Sequence, residues 1–188
     1  MKIKKTIIVL LLCFLPIASF AQKVGEALPA WEEGYMDIHH INTGCGECAY
    51  LILPDGTTML IDAGENKAGN PRHVLPKPNA GRTPGEWIVD YIKAMAPAQN
   101  QKLDYALITH FHSDHMGGVL KMKNESGRYY NTGIITVAEN LQISTLVDRG
   151  FPDYKFLVDT EDKMIKNYFN FLHFTKRRIN AEQFRPGV

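Results

Sequence analysis

The chain has 188 residues, 21 basic and 20 acidic side chains, and a formal net charge of +1 at pH 7. With 45% hydrophobic residues it can bury the core of one domain, and no segment is repetitive or of low complexity. A charge balance so near zero gives no electrostatic case for a polyanionic partner.

The opening "MKIKKTIIVLLLCFLPIASFAQ" places Lys2, Lys4 and Lys5 before an apolar run from Ile7 to Ile17. The run closes on Ser19-Phe20-Ala21, a small-x-small cleavage pattern. It is too short to span a bilayer and has the layout of a secretory signal over residues 1–21. Large leucines precede Cys13, which excludes a lipoprotein cysteine. Cleavage after Ala21 leaves 167 residues, with 18 basic against 20 acidic side chains. No second apolar run of spanning length follows. The expected product is therefore exported, periplasmic or secreted, with no membrane attachment once the signal is removed. Residues 22–34 read as a linker and 35–188 as the domain.

Cys45 and Cys48 remain after cleavage. In an exported protein such a pair can form a tight disulfide, bind metal, act as a redox couple or stay as two thiols. A thioredoxin-like pair opens a helix, whereas "GCGECAYLIL" leads into a strand pattern, and one C-x-x-C is only half a zinc site.

"YMDIHHI", "AYLIL" and "TTMLIDAG" read as strands, the last two joined by a turn at Pro54-Asp55-Gly56. Residues 65–82, rich in proline and glycine, read as loop. Thr83, Pro84 and Glu86 form a capping box that opens a helix. Its apolar face carries Trp87, Ile88, Tyr91, Ile92 and Met95, and Pro97 marks its end. "DYALIT" has the apolar continuity of a central strand. After it, "VLKMK" suggests the start of a short helix, residues 123–133 an exposed loop, and "IITVA" and "ISTLVD" two short strands. A final amphipathic helix is expected over about 161–179, with Met164, Ile165, Tyr168, Phe169 and Leu172 as its stripe.

Between the central strand and a Gly-Gly pair stands "THFHSDHMGG". His110 and His112, two apart on extended backbone, point to one side and can converge on one ion. Asp114 and His115 then offer a carboxylate and a third imidazole to a neighbouring position. These donors suit Zn²⁺ best, with Fe or Mn as alternatives. Gly117 and Gly118 let the chain turn tightly beside the ligands.

"THFHSDHMGG" resembles the His-x-His-x-Asp-His signature of the metallo-β-lactamase superfamily, and "GTTMLIDAG" resembles the strand and Asp-x-Gly turn upstream of it. "INTGCGECAYLILPDG" is similar to the opening of ComEC-type DNA-uptake domains of that superfamily. Asn42, Gly44, Gly46 and Glu47 stand there, and both aspartates of the ComEC pattern are replaced.

The resemblance implies an α+β fold, the four-layer αββα sandwich, with only its N-terminal half in this chain. It implies that His110 and His112 serve a first metal ion and Asp114 and His115 a second. Asp114 would also orient the attacking water, while Asp62 would prop the metal loop without ligating. Two Zn²⁺ would then serve hydrolysis of an ester, phosphoester or amide in a small or polymeric substrate, since a bound Zn²⁺ lowers the pKa of water from about 16 to near 7. Nucleic acid is a less favoured substrate. The alternative is a catalytically incomplete chain that binds metal weakly or acts as an interaction module.

Such a site needs a third histidine, a bridging aspartate and a final histidine downstream. Only His173 follows the cluster, inside the last amphipathic helix, where a structural role is expected. His39 and His40 face opposite ways on one strand and read as structural, and His73 as solvated loop.

Overall fold

A computed structural model of the chain describes residues 24–65, 74–75 and 77–185. The expected signal segment, Cys13 and His73 lie outside the described residues.

The first strands form where they were expected: β1 (Asp37–His40), β2 (Ala49–Ile52) and β3 (Thr58–Ile61) make an antiparallel meander. Helix α1 (Pro84–Met95) is capped at Thr83. The Glu86 amide donates to Thr83 Oγ1 at 3.3 Å, and the Thr83 amide donates to Glu86 Oε2 at 2.7 Å. It buries Ile88, Val89 and Ile92 and returns the chain to β4 (Leu103–Ile108), which pairs parallel with β3. A single helical turn, α2 (Ser113–Met116), and a short hairpin of β5 (Met122–Lys123) and β6 (Tyr130–Asn131) follow. Then come α3 (Gly133–Asn140), β7 (Ile143–Asp148), α4 (Lys163–Thr175) and β8 (Asn180–Gln183).

Six strands make one mixed sheet in the order β1-β2-β3-β4-β7-β8, parallel from β3 onward. Alternate side chains Leu60, Ala106, Ile108 and Leu146 point into one core with Ile88 and Ile92 of α1, Ile134 and Val137 of α3, and Tyr168 and Phe171 of α4. The intervening Met59, Ile61, Leu107 and Val147 are half-buried, and Tyr105 is exposed. The described residues thus give an α+β domain built on one sheet and a helical layer.

Three local expectations are corrected. "IITVA" forms α3, not a strand: Gly133 through Ala138 are all buried, and a helix enclosed on every side shows no polar face to betray its period. "VLKMK" enters β5 instead of a helix, because Asn124 folds the chain into a hairpin, its Oδ1 accepting from the Arg128 amide at 3.0 Å. The C-terminal helix stops at Thr175, after which Asn180–Gln183 joins the sheet as an edge strand parallel to β7. Within α4 the buried face is Ile165, Tyr168 and Phe171, with Met164, Phe169 and Leu172 packed at its margin.

One polar node ties these layers. Asp148, 1% exposed at the end of β7, accepts from the hydroxyls of Tyr154 and Tyr168, both at 2.8 Å, and from the amides of Gly150 and Phe151, both at 2.7 Å. Four donors satisfy a carboxylate that would otherwise be costly to bury. Burial, then the Asp148 charge, pushes both tyrosine hydroxyls well above their ordinary pKa.

His39 is enclosed at the other end of the sheet. Its Nδ1 lies 3.1 Å from Tyr91 Oη, its ring abuts Tyr50 and Tyr91, and its side chain is 8% exposed. Asp37, 3.9 Å away, favours the charged ring, but desolvation outweighs it and holds the pKa below 6.5. The unfolded chain therefore takes up this proton more readily than the folded one. The stabilisation is complete above about pH 6.5 and is lost as pH falls through the lowered folded value. Replacing His39→Phe should flatten the decline of Tm between about pH 7 and pH 5; an unchanged slope would assign that decline to other groups.

Candidate metal centre

Parallel pairing brings three strand ends to one edge. Ile61 is level with Leu107, and Ile108 with Asp148, so Asp62, Thr109-His110 and Arg149 leave the sheet side by side. This is the carboxyl edge, where ligands gather in open α/β sheets.

Beyond β4 the chain bends instead of continuing as strand. Phe111, 6% exposed, plunges into the core against Tyr154 and Tyr168, with ring centroids 5.7 and 5.9 Å away. Its neighbours His110 and His112 stay accessible. His110 Nε2 lies 3.1 Å from His112 Nδ1, and the ring of His110 lies 3.9 Å from that of His115. Desolvation, followed by the nearby His115 and His112, lowers the pKa of His110, keeping a neutral ring with a lone pair to offer.

Asp62 organises the third imidazole. It is 1% exposed, with its backbone in the left-handed region at φ 59°. Its Oδ1 accepts from the Thr109 amide at 2.8 Å, and its Oδ2 accepts from Thr109 Oγ1 at 2.7 Å. The same Oδ2 stands 2.8 Å from His115 Nδ1. An ionised carboxylate only accepts, so His115 carries its proton on Nδ1 and leaves Nε2 free. Asp114, whose side chain is 48% exposed, stands with Oδ2 3.9 Å from that Nε2.

The turn bearing these groups is held by main chain. Within α2 only the Ser113 carbonyl finds a helical donor, the Gly117 amide at 3.1 Å. The amides of Glu65, Glu47 and Ala63 donate to the carbonyls of Ser113, Asp114 and His115 at 3.1, 2.9 and 2.7 Å. Gly46 and Gly64 permit this approach, since a Cβ on either would stand 2.0 or 2.1 Å from the Asp114 carbonyl oxygen. Gly117, at φ 89°, packs against Gly133 at the start of α3, and a Cβ there would meet the Gly133 backbone at 2.5 Å. A Cβ on Gly118 would meet Met164 Sδ and Ser113 Cβ at 2.8 Å. Beneath the turn, the buried carboxylate of Glu65 accepts from the Gly118 and Val119 amides at 3.4 and 3.1 Å and from Thr132 Oγ1. Burial raises its pKa and these donors oppose the rise.

The supporting roles of Glu65, Gly46, Gly64 and Thr132 escaped the sequence reading. Their signal was slight: Gly64 stood in the Asp-x-Gly turn, while Glu65 looked like the first loop residue. His173 lies on the exposed side of α4 with its ring against Phe174. His40 is exposed, 3.7 Å from Glu47, and His39 is packed as described; neither enters the cluster. Cys45 and Cys48 are free thiols, and burial pushes the Cys48 thiol far above its ordinary pKa.

Residues 42–127 match the metallo-beta-lactamase superfamily. That span includes β2 to β5 and every residue of the cluster, and leaves β7, α4 and Arg149 outside it. No curated protein matches the chain in sequence.

Metallo-β-lactamase domains point to a divalent ion, usually zinc, and the donors here suit one in kind: neutral imidazoles and a carboxylate. Two nitrogens on one tetrahedral Zn²⁺ stand about 3.3 Å apart, so the 3.1 Å approach of His110 to His112 fits a shared ion. The same approach is a hydrogen bond while one nitrogen keeps its proton. Among the described residues no three His, Cys, Asp or Glu side chains already surround one point. Among the described residues the cluster is therefore a histidine pair with two close neighbours, not a finished cage.

Replacing Asp62→Asn puts an amide donor where His115 Nδ1–H needs an acceptor and so frees the wrong nitrogen. Zinc affinity in a chelator competition should fall about 10- to 100-fold while far-UV dichroism is unchanged; equal affinity would remove Asp62 from the metal's support.

Proposed function

We propose that the chain is an exported, divalent-metal-dependent hydrolase of the metallo-β-lactamase superfamily, acting on an ester, phosphoester or amide. The observation that carries this reading is the gathering of His110, His112 and an Asp62-oriented His115 at the carboxyl edge of a sheet whose flanking segment matches that superfamily.

His110 and His112 would hold one ion, and His115 Nε2 and Asp114 would serve a second. A bound Zn²⁺ supplies the Lewis acidity that makes water a competent nucleophile near neutral pH. The accessible Asp114 carboxylate accepts a hydrogen bond from the attacking water and sets its direction. Its main chain cannot recoil, because the Asp114 carbonyl is held by Glu47 under Gly46 and Gly64. Asp62 and Thr109 keep His115 in one tautomer. The sheet corresponds to one half of an αββα sandwich, and its half-buried Met59, Ile61, Leu107 and Val147 mark the face that a second sheet would cover.

A second reading is a non-catalytic domain that binds metal weakly, through the close pair of His110 and His112 alone. Metal analysis separates the two. The hydrolase should retain one to two equivalents of zinc through gel filtration and hydrolyse p-nitrophenyl acetate or bis-p-nitrophenyl phosphate, with Asp114→Asn lowering kcat at least about 100-fold. Retention of less than half an equivalent, or turnover indifferent to Asp114→Asn, would leave the binding domain.

Export follows from Lys2 to Ala21, whose charged start, apolar run and small-x-small end form a cleavable leader. N-terminal sequencing of the protein recovered outside the cytoplasm should begin at Gln22; recovery only as the uncleaved cytoplasmic chain would discard export.

A further inference from the structure

The cleft beside the histidines carries one arginine that the hydrolytic machinery above does not use. The cleft holds about 470 Å³ and is lined by His110, His112, Arg149, Leu157 and Val158, among others. Arg149 is exposed in this cleft, and the backbone that presents it is anchored from both directions. The Asp148 carboxylate before it is locked by four donors, and the Gly150 and Phe151 amides after it are two of those donors.

The guanidinium itself has no carboxylate partner among the described residues. Arg82 and Arg178, by contrast, are paired with Asp90 at 3.0 Å and Glu139 at 2.6 Å. Two acidic residues line the same cleft, yet both are engaged with their own main chain. Asp162 accepts from the Met164 and Ile165 amides as the N-cap of α4, and Asp159 accepts from the Glu161 amide. The remaining wall is apolar: Phe111, Leu157, Val158, Met164 and Ile165.

We propose that Arg149 forms an oxyanion subsite, so that the substrates are amphipathic esters carrying a phosphate or carboxylate group beside an apolar moiety. This rests on the hydrolase reading and narrows it. The planar guanidinium offers paired N–H donors to an oxyanion while the histidine cluster faces the scissile bond. Leu157 and Val158 take the apolar part. Only the backbone of Arg149 is held, so its unpaired side chain still loses rotamer freedom on binding, and the paired charge-assisted bonds to the oxyanion offset that loss.

The test titrates phenylphosphonate, phenylacetate and benzyl alcohol into the zinc-treated full chain and into Arg149→Gln and Arg149→Lys. At least one anion should bind wild type, weaken about tenfold or more in Arg149→Gln and recover in part in Arg149→Lys. The neutral alcohol should not distinguish the proteins. Phenylphosphonate preference indicates phosphoesters, and phenylacetate preference indicates carboxylate-bearing esters. Binding of neither anion to wild type at millimolar concentration overturns the subsite. So does an affinity in Arg149→Gln within about twofold of wild type, whether or not Tm falls. Zinc content of the same samples is read separately: its absence removes the hydrolase reading, whereas loss of the Arg149 dependence alone removes only the subsite.

Discussion

Three amides hold three carbonyls at the centre of this molecule. Glu47, Ala63 and Glu65 donate to Asp114, His115 and Ser113, and the chemistry-bearing turn exists because they do. The single turn closes only two α-helical bonds of its own, from the Met116 amide to His112 and the Gly117 amide to Ser113, and an orphaned buried carbonyl costs about 1–3 kcal/mol. Two loops from the preceding strands supply the missing donors. Their approach requires the bare backbones of Gly46 and Gly64, whose Cβ atoms would overlap the Asp114 carbonyl. The side chains of Asp114 and His115 are thus aimed by main-chain contacts that no side-chain inventory reveals.

Polarity is distributed with a consistent logic around this clamp. Each buried carboxylate is surrounded by donors and serves position: Asp62 by Thr109 and His115, Glu65 by Thr132 and two amides, Asp148 by two tyrosines and two amides. The accessible groups, His110, His112, Asp114 and Arg149, are left to meet something from outside. Phe111 makes that separation possible, because one buried ring between two histidines fixes the direction of both without constraining their nitrogens.

Much of the scaffold was legible because local signals agreed with one another. The Thr83 capping box, the apolar run of β4 and the Asp-Gly turn each have one reading in a short window. α3 misled because a wholly buried helix carries the same apolar text as a buried strand, and tertiary enclosure decided between them. β8 was invisible because Asn180–Gln183 is a polar edge strand, with no alternation to announce it. Glu65 was lost for a similar reason: its burial depends on Thr132, 67 residues away.

The sequence by itself determined the donor types and their spacing, since imidazole and carboxylate chemistry is carried by residues 110–115 wherever they are placed. It also determined the likeness to a metal-dependent hydrolase family. Only the tertiary structure decided which nitrogen of His115 is free, which glycines admit the clamp and that Arg149 shares a cleft with His110. Those facts depend on strand register and on contacts between residues far apart in the chain, and no local window of sequence contains both partners of such a contact.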